Sequence, residues 1–203
     1  MNRKSFLHNS FLAAIAAGLG FKSLDGKNTF PISNYGKTKG KRNPNSVKGM
    51  PVVISTWKHG LPANDAAMAA LNSGGSALDA VEKGVWVVEA DLSNTSVGLG
   101  GYPNRDGIVT LDACIMRDDG MCGSVSFVQG IEHPITLARK VMEKTPHVML
   151  VGSGAELFAK QEGIPKLPNK LTEKTEKAWQ KWLLEKNYKP VINIENHDTI
   201  GLL

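Results

Sequence analysis

Five consecutive residues near the end of the chain, His197-Asp198-Thr199-Ile200-Gly201, carry the clearest chemical possibility. A threonine hydroxyl is a weak nucleophile at neutral pH and needs a base beside it. One solution makes the threonine a chain end, so that its own α-amine takes the hydroxyl proton. A free α-amine has a pKa of ~7.7–8.0, so a useful share is neutral near pH 7. Thr199 is internal, so this chemistry requires the backbone to break between Asp198 and Thr199. Taken alone, the same five residues equally describe a loop entering a strand.

The elements that would position such a site follow from patterning. Residues 51–56 are short and β-branched and end at Trp57, the pattern of a buried strand delivering an aromatic to its C-terminal end. Read by itself, Trp57 is first a core or loop aromatic. Pro62 and Asn64 start a helix that Gly74-Gly75 stops. Ser76, with Asp79 three residues on, forms a capping box for a second helix, whose Leu78, Val81, Val85 and Val88 make one apolar face. Residues 91–101 are irregular. Gly98-x-Gly100-Gly101 has neither the dinucleotide spacing nor the P-loop lysine, and with Ser93, Thr95 and Ser96 it suits either a pocket wall or a plain loop. Residues 107–116 and 122–128 form a hairpin about Asp119-Gly120. Pro134 opens a helix that runs to Lys144 and ends at Thr145-Pro146. A short apolar run at 148–151 and a helix over 155–162 follow. Thr172 caps the last helix, whose Trp179, Trp182 and Leu183 form an apolar stripe expected to pack. Residues 186–196 are a linker, and a strand is expected to begin at Ile200.

Charge separates the chain into parts. Of 203 residues, 41% are hydrophobic and 21% charged, as one globular domain with a core requires. The net charge of +5 misleads, because residues 1–50 hold nine basic residues and one acid while the remainder is net −3. A basic folded face is therefore absent from the expected body, which argues against nucleic-acid binding. Arg3-Lys4 before the apolar run at 11–21 has the form of an export signal, too short for a membrane span. We assign residues 1–24 to a signal peptide and 25–49 to a basic linker, and expect a periplasmic or extracellular protein with no stable membrane anchor. Cys114 and Cys122 carry no metal-ligand spacing. They either pair as a hairpin disulfide or remain buried free thiols.

Trp57 after a strand, Ser96-Val-Gly-Leu-Gly-Gly101, Leu111-Asp-Ala113, the stretch from Ala138 to His147, and His197-Asp-Thr-Ile-Gly201 occur in the order found in glycosylasparaginases (aspartylglucosaminidases). The chain resembles these N-terminal nucleophile hydrolases over residues 50–201. Plant-type asparaginases and isoaspartyl peptidases usually carry Gly-Thr-Val-Gly where this chain has Asp-Thr-Ile-Gly.

The resemblance implies an α/β fold, the αββα sandwich of the N-terminal nucleophile hydrolases. It also implies a precursor that cleaves itself before Thr199, with Asp198 assisting and His197 given no firm role. Thr199 would then hydrolyse the amide of asparagine bearing N-acetylglucosamine, with Trp57 walling the pocket and Ser96 contacting the substrate. No metal or organic cofactor is implied. Residues 50–198 correspond to the α subunit and 199–203 to the start of a β subunit, so the sandwich is expected to be incomplete, with the missing β subunit as partner and a homo-oligomer of α/β units as the assembly. Two alternatives are a plant-type asparaginase or isoaspartyl peptidase, and a non-catalytic exported binding protein.

Overall fold

The structure is a computed structural model that describes residues 51–185 and 199–203. The expected signal peptide, the basic linker, residues 186–196, His197 and Asp198 lie outside the described residues.

Two helices open the body. Helix α1 runs Gly60–Asn72 and α2 runs Ala77–Glu89. Helix α1 starts two residues before Pro62. That is permitted because N–H groups of the first turn have no intrahelical acceptor, so a proline there sacrifices nothing. At α2 the expected capping box is present. The Asp79 amide donates to Ser76 Oγ at 3.1 Å and the Ser76 amide donates to Asp79 Oδ2 at 2.9 Å. Gly84 sets the approach of the two helices: a Cβ there would lie 2.8 Å from the Ala63 carbonyl oxygen and 2.9 Å from Leu202 Cδ1. A short 3-10 turn, Gly98–Gly100, lies in the irregular loop that follows.

Strands β1 (Leu111–Met116) and β2 (Cys122–Val128) form the antiparallel hairpin, and β3 (Met149–Val151) pairs parallel to β2, giving the order β1-β2-β3. The fold is thus α/β with a small mixed sheet. The hairpin register slips between Leu111 and Ala113. There Phe127 takes a φ of 56°, and Asp112 Oδ1 accepts from its amide at 2.8 Å and from Ser126 Oγ at 2.6 Å. Helix α3, Pro134–Lys144, has the expected bounds and buries Leu137, Ala138 and Val141 completely against Val125 and Val128 of the sheet. Helix α4, Gly152–Gln161, starts three residues earlier than expected and buries Ala155 and Ala159. Helix α5, Glu173–Glu185, has the Thr172 hydroxyl accepting from the Thr175 amide at 3.2 Å.

Four expectations need correction. Residues 51–56 are not a buried strand: they make one bridge, Ser55 to Leu202, and Val52 and Ile54 stay 73% and 63% exposed. β-branching favours extension, but burial needs a covering layer, and among the described residues none lies over this segment. Pairing at the other end begins at Gly201 rather than Ile200. The apolar stripe of α5 packs only through Trp179, whose Nε1 donates to the Arg105 carbonyl at 3.1 Å, while Trp182 and Leu183 are exposed. Cys114 and Cys122 are free, one exposed and one half-buried, because they stand opposite Ser124 and Met116 in the register rather than opposite each other.

The side-chain hydrogen bond from Ser76, then that from Arg139 at 2.7 Å, holds the Asp79 carboxyl down at about 2. A depressed carboxylate stabilises above its unfolded value and loses that contribution as pH falls through the folded one. Ser76→Ala should therefore cost ~1 kcal/mol at pH 7. In urea titrations the gap from the unmutated chain should narrow as pH falls from the model-peptide value of 3.8 toward about 2. A gap that does not change with pH would show that Asp79 is not held by the cap.

Candidate active site

The two ends of the described chain meet in a short antiparallel pairing. The Ile54 amide donates to the Leu203 carbonyl and the Leu203 amide to the Ile54 carbonyl, both at 2.9 Å, and the Thr56 amide donates to the Gly201 carbonyl at 2.9 Å. The Thr56 hydroxyl adds a fourth bond, accepting from the Gly201 amide at 2.9 Å. Leu202 reaches the hollow that Gly84 leaves between α1 and α2.

One step beyond this pairing the geometry changes. Continued in register, Trp57 would face Ile200 and Lys58 would face Thr199. Trp57 instead adopts a φ of 62°, a left-handed conformation that costs an L-residue on the order of 1 kcal/mol, and the chain turns into α1, with the Gly60 amide donating to the Trp57 carbonyl at 3.1 Å. The Trp57 residue remains 48% exposed at this turn. Thr199, also exposed, lies two residues ahead of the first bonded residue on the facing segment. The pairing therefore directs Thr199 and Trp57 toward the same edge. Asp198, assigned to backbone cleavage, lies outside the described residues.

Ser96 belongs to a different segment. Its amide donates to Asn94 Oδ1 at 2.9 Å, the Val97 amide shares that acceptor at 3.3 Å, and the Tyr102 amide closes the loop on the Thr95 carbonyl at 3.1 Å. None of these three bonds reaches Thr199 or the turn at Trp57. Asp91, at the start of this loop, has its carboxyl lowered chiefly by the side-chain hydrogen bond from Ser93. Among the described residues no group of three His, Cys, Asp or Glu side chains converges as a metal site would require.

Sequence patterning missed Thr56 and Gly84. Thr56 looked like one more β-branched strand residue, and its role as acceptor depends on a partner 145 positions away. Gly84 sits inside a helix, where an isolated glycine is unfavourable by ~1 kcal/mol against alanine. That cost was the available signal of a close approach.

The arrangement is an exposed threonine beside an aromatic turn, on an α/β body. Residues 56–200 match the family model described as asparaginase, and the chain belongs to that family. Over 202 residues it is 50% identical to an N(4)-(beta-N-acetylglucosaminyl)-L-asparaginase of Elizabethkingia miricola, a match spanning 100% of this chain and 56% of the relative. The Mus musculus protein of the same name is 34% identical over 185 residues, covering 76% of this chain and 53% of its own length. An isoaspartyl peptidase/L-asparaginase of Xenopus laevis is 45% identical over 134 residues, covering 64% of this chain and 43% of its own length. The chain spans about half the length of the curated relatives it matches. The resemblance to glycosylasparaginases is thus borne out.

Thr56→Val should release the Gly201 amide while leaving α3 intact. A hydrogen bond of ~1 kcal/mol corresponds to roughly fivefold faster amide exchange at that position. Equal rates in both proteins would show that the Thr56 hydroxyl does not hold the tail.

Proposed function

We propose that this chain is the N-terminal portion of a glycosylasparaginase precursor, which cleaves itself before Thr199 and then hydrolyses N4-(β-N-acetylglucosaminyl)-L-asparagine to aspartate and the aminosugar. The observation that carries this reading is the 50% identity along the whole chain to a relative of that name.

In the proposed maturation the Thr199 hydroxyl attacks the carbonyl carbon of Asp198, and the acyl group moves from nitrogen to oxygen. Water then hydrolyses the ester and leaves Thr199 with a free α-amine. In turnover that amine accepts the hydroxyl proton while the oxygen attacks the substrate β-carboxamide. The C–N bond breaks, the aminosugar leaves with a proton, and an aspartyl ester on Thr199 is hydrolysed by water. Trp57 would wall the aspartyl pocket and Ser96 would offer it a polar contact.

The αββα sandwich belongs to the same proposal. Helix α3 covers one face of the sheet. On the other, Cys114, Ser124 and Met149 are register partners, and Met116, Met149 and Val151 are exposed. A second sheet from the β subunit would cover these side chains and supply groups that grip the substrate and its oxyanion. Each oxyanion donor is worth on the order of 10²–10³ in rate, so residues 1–203 alone should be inactive. We further propose export through the signal at residues 1–24 and assembly of α/β units into a homo-oligomer. The alternative substrates are isoaspartyl peptides and free asparagine, supported by the 45% identity to a relative named for them. Rates on these and on the glycosylated amide separate the two.

In the full-length precursor, Thr199→Ala should abolish both cleavage and turnover, lowering kcat by at least about 10⁴-fold. Thr199→Ser and Thr199→Cys should retain part of each, because an attacking atom remains. A Thr199→Ala protein running as two pieces on a denaturing gel would defeat the autocatalytic account.

A further inference from the structure

One residue, through its side chain and its backbone, ties α2, α3 and the Ser96 loop together. Glu89, the last residue of α2, is 3% exposed. Its Oε1 accepts the Ile135 amide at 3.1 Å and its Oε2 meets His133 Nδ1 at 3.1 Å. Pro134 has no N–H, and His133 makes no side-chain cap. The Ile135 amide is therefore an orphan donor of the first turn of α3, satisfied by a carboxylate from another helix. His133 is itself stacked on Trp86, with ring centroids 5.0 Å apart, and the Trp86 indole donates to Thr136 at 2.7 Å. The Glu89 side chain is thus held by two groups at the start of α3, and it holds the end of α2.

The Glu89 backbone meets the loop as tightly. Gly98 has a φ of 73°, and a Cβ there would lie 2.1 Å from the Glu89 carbonyl oxygen. Gly100 is packed as closely on the same loop, with a Cβ position 2.5 Å from the Asn94 oxygen and 2.6 Å from that of Leu92. Ser96 stands between the Asn94 acceptor and Gly98, so it has little slack relative to the end of α2.

We infer that Glu89 is a positioning residue for the Ser96 wall of the substrate pocket: its carboxylate fixes the last turn of α2, and the carbonyl of that turn fixes Gly98 and hence Ser96. The consequence for turnover rests on the glycosylasparaginase reading; the mechanical coupling does not.

The test uses Glu89→Gln, which keeps the shape and the acceptor for Ile135 but removes the charge shared with His133. Val141→Ala serves as the comparison, since it loosens the same helix from the sheet side without touching Glu89. In the 203-residue chain, Glu89→Gln should speed amide exchange at Ser96 and Val97 about tenfold, and Val141→Ala should leave those two amides unchanged. Equal exchange at Ser96 and Val97 in Glu89→Gln and the unmutated chain, or the same rise in Val141→Ala, would overturn the coupling. In the full-length self-cleaving protein, Glu89→Gln should raise KM for the glycosylated asparagine about tenfold with kcat within about twofold. An unchanged KM would overturn the positioning role. Absence of turnover in the unmutated protein would sink the functional reading alone, with the exchange arm still deciding the coupling. If Glu89→Gln does not fold, His133→Gln removes one of the two bonds and is judged by the same measurements.

Discussion

The bonds between residues 54–56 and 201–203 close a loop of 145 residues with very little material. For a flexible chain of that length, closure costs on the order of 4 kcal/mol beyond the constant. Solvent-accessible backbone bonds contribute ~1 kcal/mol each at most. Four such bonds only about match that cost, so the pairing has no net gain in gathering the ends of an unfolded chain. It forms because the intervening body is already folded, with the Gly84 hollow ready to receive Leu202. The position of Thr199 therefore depends on the core that seats this pairing.

That core is joined in two ways. Apolar contact seats α3 on the sheet through Leu137, Ala138 and Val141. A polar seam seats it on α2. Arg139 is shared among Asp79 and Glu82, both at 2.7 Å, and Glu143 at 2.8 Å, while the Thr136 hydroxyl donates to Glu82 at 2.7 Å. Burial raises the Glu89 carboxyl, and its bonds to His133 and Ile135 oppose the rise. Buried charge seldom adds stability over a well-packed apolar pair, but truncating one partner is expensive. The seam therefore acts mainly on register: it admits α3 against α2 in one orientation, which aligns the loop holding Ser96.

Features with local causes were legible in the sequence. Pro134 at the first helical position and Thr145-Pro146 after the last marked α3 correctly, and Ser76 with Asp79 marked α2. The hairpin followed from alternation about Asp119-Gly120. Features that depend on distant partners were not. The apolar run 51–56 implied burial, yet apolarity states only what a segment would gain under a cover. The Glu89–His133 contact spans 44 positions, and nothing near either residue announces it. At the candidate site, Thr199 was singled out by its residue type and setting, and Trp57 only through the family resemblance. Thr56, an ordinary strand residue in type, was not.

The left-handed backbone at Trp57 sets the turn against the residue type that makes it. Glycine would relax that turn and, by stability alone, would be the favoured occupant. A large indole stands there against its own backbone preference, so the turn is held by the structure around it rather than by local propensity. Glycine or asparagine, which accept that backbone readily, would relieve the turn at position 57 and at the same time remove the surface the ring offers.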